Sequence, residues 1–468
     1  MSVVSRKTRF GAAVVLLMAG AATFFLGCRL FPPVQSAFDA HRDLTTSLPV
    51  FPGAEGFGTT TVAGRGGTII RVTNLHDGGS GSLREAVETE GPRIVVFEVG
   101  GVIELASEII VRSPYLTVAG QTAPEPGITL LGSGLVVSTH DVLIQHIRSR
   151  PGDTPDARNP ESRDGIAVVG DPRGETAVYN VVIDRCSVSW AIDEGGSTWY
   201  DGVRDVTFSH CIIAENLSES LHPKGEHSKG LLIGDHSRRI AIIGNVFAHN
   251  TRRNPLLKGD TSTLVSGNLI YNYGSQAIGF SDPEYSGASR ASIIGNVAIP
   301  GPDTTGSAGA IWRGSETSPE IMVYADDNLV AQATDAAGTE GASDGTGAGD
   351  LDPWQPSARM AEVLVQEEPV AVLPLTRTAA SGLEDIVLAR AGARSATRDA
   401  VDERVVQTVV DRTGAIIDSQ EEVGGYPNPD ATSRSLTLPT DPAGDDDGDG
   451  YTNVEEWLHD LAAAVEGE

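Results

Sequence analysis

Near its C-terminus the chain reads DDDGDGYTNVEE, residues 445–456. Asp445, Asp447, Asp449, the Tyr451 carbonyl, Asn453 and Glu456 fall at positions 1, 3, 5, 7, 9 and 12 of a calcium loop, with Gly450 at the turning position 6. A hard divalent ion needs that many oxygens around one tight turn, and TNVEEWLHDLAAAV supplies the helix that follows. The spacing predicts a structural EF-hand-like or dockerin-like Ca2+ site; the plainer alternative is a solvated acidic tail. A second constellation lies mid-chain, in SRDGIAV (162–168), DRCSVSWAIDE (184–194), SLHPKGEHSKGLLIG (220–234) and TRRNPLLKG (251–259). The first two segments carry the carboxylates Asp164, Asp193 and Glu194; the last two carry Lys224, Lys229, Arg252, Arg253 and Lys258. Brought to one groove, the acids could hold a metal and the bases an acidic substrate. Surface ion pairs worth about 0–1 kcal/mol each would use the same residues, and composition alone does not choose.

What could bring such distant residues together is a repeat. Seven short aliphatic strands place a small polar or sulfur residue at one point: VLIQHIRSR, VVIDRCSVS, VTFSHCIIA, IAIIGNVFA, TLVSGNLIY, SIIGNVAIP and VYADDNLVA. The column reads His146, Cys186, Cys211, Asn245, Asn268, Asn296 and Asn328, with steps of 40, 25, 34, 23, 28 and 32 residues. A short base period with variable insertions marks a solenoid. Aliphatic strands without intervening amphipathic helices argue for an all-β coil of parallel strands, a β-helix, rather than a βαβ sheet. Stacked Asn side chains are expected to hydrogen-bond from rung to rung, and long loops from some rungs to carry the binding surface.

A net charge of −29 disfavours nucleic acid, whose phosphates need clustered Lys and Arg. The stretch Lys224–Lys258 runs against that balance, with seven basic residues against Glu226 and Asp235, and suggests a site for an anionic ligand. Arg6, Lys7 and Arg9 precede the uncharged run 11–27, an export signal. The sequence FLGC ending at Cys28 resembles a bacterial lipoprotein box, so the expected location is the bacterial cell envelope, lipid-anchored at Cys28, or the medium. Cys186 and Cys211 are expected as buried free thiols. Residues 28–50 read as a tether, 51–335 as the coil, 336–440 as a linker and helices, and 441–468 as the calcium loop with its helix. A capping box at Ser82 and Glu85 predicts a helix over 82–89 that plugs the open end of the coil. Helical spacing at 383–393 and 396–414 predicts two helices packed on the outside, the second ending at Gly414; a small independent domain is the alternative.

In order along the chain, FPGAEGFG, GRGGTIIRVTNLHDGGSGSLREAV, RIVVFEVGGVIEL, VAGQTAPEPGITL, SVSWAIDE and TRRNPLLKG resemble the pectate lyases of polysaccharide lyase family 1. The resemblance implies a right-handed parallel β-helix, with Ca2+ as cofactor and an acidic polysaccharide, pectate or polygalacturonate, as partner of a monomeric enzyme. It places Arg253 as the catalytic arginine, Lys258 as a second, substrate-holding cation, and Lys229 on a uronate carboxylate, with Lys224 and Arg252 as further substrate contacts. Asp164 matches a calcium aspartate, and Asp193 and Glu194 stand for the remaining carboxylates; Ser162 and Arg185 depart from the pattern. The implied reaction is β-elimination, which removes the C5 proton of a uronate and leaves a 4,5-unsaturated end. A free guanidinium stays protonated far above neutral pH, so alkaline conditions are expected to favour it. Rival readings are a lyase for methylated pectin, which should need fewer acids and more aromatics, a lyase for another polyuronate, and a non-catalytic carbohydrate-binding β-helix.

Overall fold

The computed structural model describes residues 48–154, 159–173, 176–305, 310–331, 351–372 and 375–468. The export signal, Cys28, most of the tether and the Gly-rich stretch 333–350 lie outside the described residues. No helix among the described residues is long and apolar enough to cross a membrane.

Each turn of the chain gives one strand to each of three sheets, of 10, 8 and 11 strands, forming a right-handed parallel β-helix. Among the described residues, only two short edge strands run antiparallel, Leu351–Pro353 and Thr432–Ser433. Alternate residues point inward, and the register stacks Ile144, Ile183, Phe208, Ile242, Val265 and Ile293 in one column of the core. This explains the aliphatic runs: each rung has one apolar row that only its neighbours can bury.

The corner between two sheets holds the expected ladder. The side-chain amide of Asn245 donates to Asn268 Oδ1 at 2.9 Å, Asn268 to Asn296 at 2.9 Å, and Asn296 to Asn328 at 2.9 Å. Each carbonyl also accepts the preceding rung's backbone N–H, beginning with Cys211 N to Asn245 Oδ1 at 2.8 Å. Cys186 and Cys211 continue the column as buried free thiols. His146 does not belong to it. The pairs Gln145–Asp184 and Arg148–Ser187 align Ile147 with Cys186 and put His146 beside Arg185, at the left-handed corner residue one place earlier.

The predicted capping helix runs Leu83–Glu88, buries Leu83, Ala86 and Val87, and has Ser82 Oγ accepting from Glu85 N at 3.2 Å. The Glu85 carboxylate takes Gly81 N at 2.7 Å instead of closing the box on Ser82. The described residues form one compact unit. Helices Leu383–Arg390 and Ala400–Asp411 cover a second apolar cluster on the coil, with Val387, Val405 and Val409 against Ile212, Val246, Leu269 and Val297. The second helix ends three residues before Gly414, because Arg412 adopts the left-handed conformation at φ 58°. Its start is bolted down by buried charge: Arg150 donates to Asp399 and Asp402, each at 2.8 Å, and Ser187 Oγ donates to Asp402 at 2.6 Å. The terminal helix Asn453–Glu466 buries Val454 and Leu458 on Ile94, Val96 and Ala119, and Glu466 takes His146 Nε2 at 3.0 Å and Arg185 at 2.9 Å. Arg185, a departure from the resembled pattern, therefore ties the chain end to the coil.

Two outcomes follow from these contacts. Asn268→Ala strips buried partners from the rungs on both sides and should cost roughly 3 kcal/mol in urea denaturation, more than Asn328→Ala at the end of the ladder. Burial pulls the Asp399 carboxyl upward, but Arg150 beside it outweighs burial and holds it below the usual range. The stability it adds is complete above about pH 4 and is lost as pH falls through that lowered value. Limited proteolysis should therefore release the segment around 399–411 in acid before the coil unfolds.

Candidate active site

Four strands of the eight-stranded sheet lie side by side: Ile166–Val169, Glu194–Trp199, Lys229–Ile233 and Leu256–Leu257. Their leading ends carry the mid-chain constellation. Glu194 pairs in register with Lys229, and Lys229 bridges to Arg252. Ile166 pairs with Gly196, so Asp164 falls beside Glu194, whose backbone N–H it accepts at 3.2 Å. Residues 88 positions apart in sequence thus form one row, separated only by strand spacings of about 4.8 Å.

Asp164, Asp193 and Glu194 each offer a carboxylate oxygen within 4.8 Å of the others. Burial and the charge of Asp193 push the Asp164 carboxyl up to about 7. Burial and the charge of Asp164 push Glu194 well above its ordinary value, although Arg253 pulls the other way. Against burial, the hydrogen bond from His227 holds Asp193 low. Three carboxylates this close favour a cation among them, and their oxygens suit a hard divalent ion such as calcium. Ser162 is exposed at the end of the short 3-10 helix Pro160–Ser162, before Asp164.

The guanidinium of Arg253 lies against Glu194 Oε1. Arg253 is free to take Glu194 because nearby Asp260 is held by Arg238 and His236. Arg253 sits in the left-handed region at φ 65°. That local turn sets the guanidinium against the acids. Arg252 is close by, its guanidinium lowered by burial and by Arg253. Lys224 is exposed on the loop that leads to Lys229.

Two expected substrate contacts need correction. Lys229 is 1% exposed, with Nζ donating to the carbonyls of His227 at 2.8 Å and Glu226 at 3.3 Å. Burial, Arg252 and Arg253 push its ammonium down to about 7. It braces the loop 222–227 from beneath and is not presented to a ligand. Lys258 stands at the far end of its strand, with Nζ 2.6 Å from Asp235 and 2.9 Å from Glu284, and 4.8 Å from the centre of the Trp199 ring. Trp190, by contrast, is wholly buried and donates to Glu215.

His227 was not singled out from the sequence. Its Nδ1 meets Gly225 O at 3.0 Å, its Nε2 lies 3.2 Å from Asp193, and the His222 ring stacks on it with centroids 3.4 Å apart. Two histidines in LHPKGEHSKG, on the loop before a strand that carries a site lysine, were the only signal. A neutral isostere at the crowded position tests the cation argument. Asp164→Asn should raise the melting temperature of the calcium-free protein at pH 8 and weaken calcium binding at least tenfold by calorimetry.

No protein-family model matches the sequence. The chain is 34% identical over 459 residues to a protein named probable pectate lyase C from Aspergillus flavus, covering 92% of this chain and 98% of the relative. The same identity and coverage hold for a probable pectate lyase C from Aspergillus oryzae. Pectate lyase 5 of Ambrosia artemisiifolia is 26% identical over 281 residues, 58% of this chain and 67% of that one. Among solved structures, the cedar-pollen allergen jun a 1 superposes with a TM-score of 0.50 at 17% identity, over 71% of this chain and 91% of its own. A pectate lyase bound to a hexasaccharide gives 0.50 at 14%, over 75% and 99%. These two show likeness of fold. With a third of its residues shared along nearly the whole of both chains, the protein belongs to the pectate lyase family.

Proposed function

We propose that this chain is an exported lyase that cleaves pectate by calcium-assisted β-elimination. The observation that carries the reading is the Arg253 guanidinium seated against Glu194, beside two more carboxylates that burial has left short of positive charge. Asp164, Asp193 and Glu194 would hold the calcium, which would supply a positive charge for the substrate carboxylate. Arg253, in the neutral guanidine form that alkaline conditions favour, takes the C5 proton of the uronate and becomes the guanidinium. The electron pair left behind forms the C4–C5 double bond as the C4–O bond breaks, and the departing sugar oxygen is protonated from solvent. Arg252 places a further cation in the same row, beside the carbon where negative charge develops, and Lys229 beneath it braces the loop. Glu194 holds the guanidinium at the carboxylate cluster, so base and charge sink share one end of the sheet.

Finer proposals belong with this one. The loop at 445–456 is read as an EF-hand-like calcium site: Asp445, Asp447 and Asp449 bring oxygens within 4.8 Å, and Asp445 accepts from Gly448 N at 2.7 Å and Gly450 N at 3.1 Å. Asn453 is turned inward, accepting from Asp446 N at 3.1 Å and donating to Asp441 O at 2.9 Å, which leaves Glu456 and the Tyr451 carbonyl to complete the set. Arg6, Lys7 and Arg9 before the apolar run 11–27 support export, and Cys28 is the residue that a lipid anchor would use.

Arg253→Ala is the direct test. On polygalacturonate, the ultraviolet absorbance of the unsaturated product should rise at least about a hundredfold more slowly than with wild type, with circular dichroism and melting temperature little changed. A variant that keeps wild-type rates would remove Arg253 from the chemistry.

A further inference from the structure

A second chain of buried amides, separate from the Asn245–Asn328 ladder, runs beneath the candidate active site. The pairings Ser189–Ala214 and Ala214–Ala248 carry the register on to Ala191, Asn216 and Asn250, one residue from each of three successive rungs. Asn216 Oδ1 accepts from Ala191 N at 3.1 Å, and its Nδ2 donates to Lys229 O at 2.8 Å and to Asn250 Oδ1 at 3.0 Å. Asn250 Nδ2 donates in turn to Ile213 O at 2.9 Å and to Asn254 Oδ1 at 3.1 Å. Asn254 Nδ2 ends the chain on Gln276 O at 3.2 Å. All three amides are buried, every Oδ1 accepts and every Nδ2 donates, so the chain has a single direction.

What distinguishes this chain is where its bonds end. The Asn245–Asn328 amides bond to one another and to the carbonyls of Phe208, Ile242 and Val265, none of them in a segment that carries a site residue. The second chain joins the segments that do. Ala191 lies just before Asp193 and Glu194, Lys229 is in register with Glu194, and Asn254 follows Arg253. Glycines make room for it: a Cβ on Gly195 would lie 2.5 Å from Asn216 Nδ2, and one on Gly230 2.6 Å from Asn254 Oδ1. They directly follow Glu194 and Lys229, so the strands that carry the site row press bare backbone on the amides one residue later. Arg253 O also accepts from Leu231 N at 2.6 Å, and Asn254 N donates to Ala277 O at 3.0 Å, which fixes both sides of the turn that aims the guanidinium.

We propose that Asn216, Asn250 and Asn254 are positioning residues for the lyase reaction, a buried amide chain that sets the spacing between the Asp193–Glu194 carboxylates and the base at Arg253. The inference rests on the lyase reading of that site. None of the three amides touches substrate or metal; they act on the backbone that aims the groups that do. Strand pairing alone does not fix this spacing, because Asp193 lies just before the strand Glu194–Trp199 and Arg253 before Leu256–Leu257. Carboxylates and a base that must meet on one sugar ring tolerate little drift, since a misplacement of about 1 Å can cost on the order of a hundredfold in rate. The amides supply the missing constraint, and their own burial makes each of their bonds expensive to lose.

The test pairs Asn250→Ala with Asn268→Ala, an equally buried amide of the other ladder, in unsaturated-product assays on polygalacturonate. Both should lower the melting temperature by similar amounts. Asn250→Ala should lose roughly ten- to hundredfold in kcat with KM changed by less than about threefold, while Asn268→Ala keeps the wild-type kcat. Asn254→Ala, which leaves the Asn216–Asn250 pair in place, repeats the comparison should Asn250→Ala fail to fold. A second readout needs no turnover. In an Asp447→Ala background that silences the 445–456 loop, Asn216→Ala should weaken calcium binding about tenfold by calorimetry, and Asn268→Ala should leave it unchanged. Equal kcat for Asn250→Ala and Asn268→Ala overturns the proposal, as do equal calcium affinities for Asn216→Ala and Asn268→Ala. Absence of product from wild type would sink the lyase reading alone, and the calcium comparison would then decide the amide chain.

Discussion

The constraint on which the rest depends is the distance between rungs. Parallel strands hydrogen-bond about 4.8 Å apart, and the Asn245–Asn328 ladder locks that spacing by giving each amide partners above and below. The aliphatic columns favour the same register, since a slip of one residue would turn Ile144, Ile183 and Phe208 outward. Once the register is fixed, residues at equivalent points on successive rungs have no freedom to separate. Asp164, Glu194, Lys229 and Arg252 are crowded because the core holds their strands there. The raised Asp164 and Glu194 carboxyls and the lowered Lys229 ammonium are the electrostatic result.

That row also explains how a chain with net charge −29 can bind a polyanion. The relevant charge is local. Cations gather where four leading strand ends converge, while a few residues along the same strands Asp235, Asp282 and Glu284 surround Lys258. The scaffold tolerates this because the functional side chains lie on the outer face and at strand ends, where substitutions leave the inward columns untouched.

Much of the architecture could be read from the residues. The Asn column and its aliphatic frame gave the coil and its corner, and the caps gave the helix at 83–88. His146 was placed one position late because the sequence motif marks a polar residue near the corner, whereas the register is decided by the apolar pairs on either side. The bolting of helix Ala400–Asp411 to Arg148 and Arg150 was invisible, since Arg150 and Asp402 are 252 residues apart and carry no local pattern. Arg253 and the three carboxylates could be named from their types and their resemblance to family motifs, but their mutual contact required the register. Lys229 and Lys258 show the limit most clearly. Both read as free cations in the sequence, yet one is buried on backbone carbonyls and the other is claimed by a glutamate on the following rung, 26 residues later.

The central claim is that acids and base converge on one metal-and-substrate centre. The most direct measurement is a crystal structure of Arg253→Ala soaked with calcium and an oligogalacturonate, with the metal located by anomalous scattering. The account predicts a calcium peak held by Asp164, Asp193 and Glu194, with a uronate carboxylate on its open side and C5 facing the emptied place of the guanidinium. Calcium bound only at 445–456, with sugar elsewhere on the coil, would contradict it.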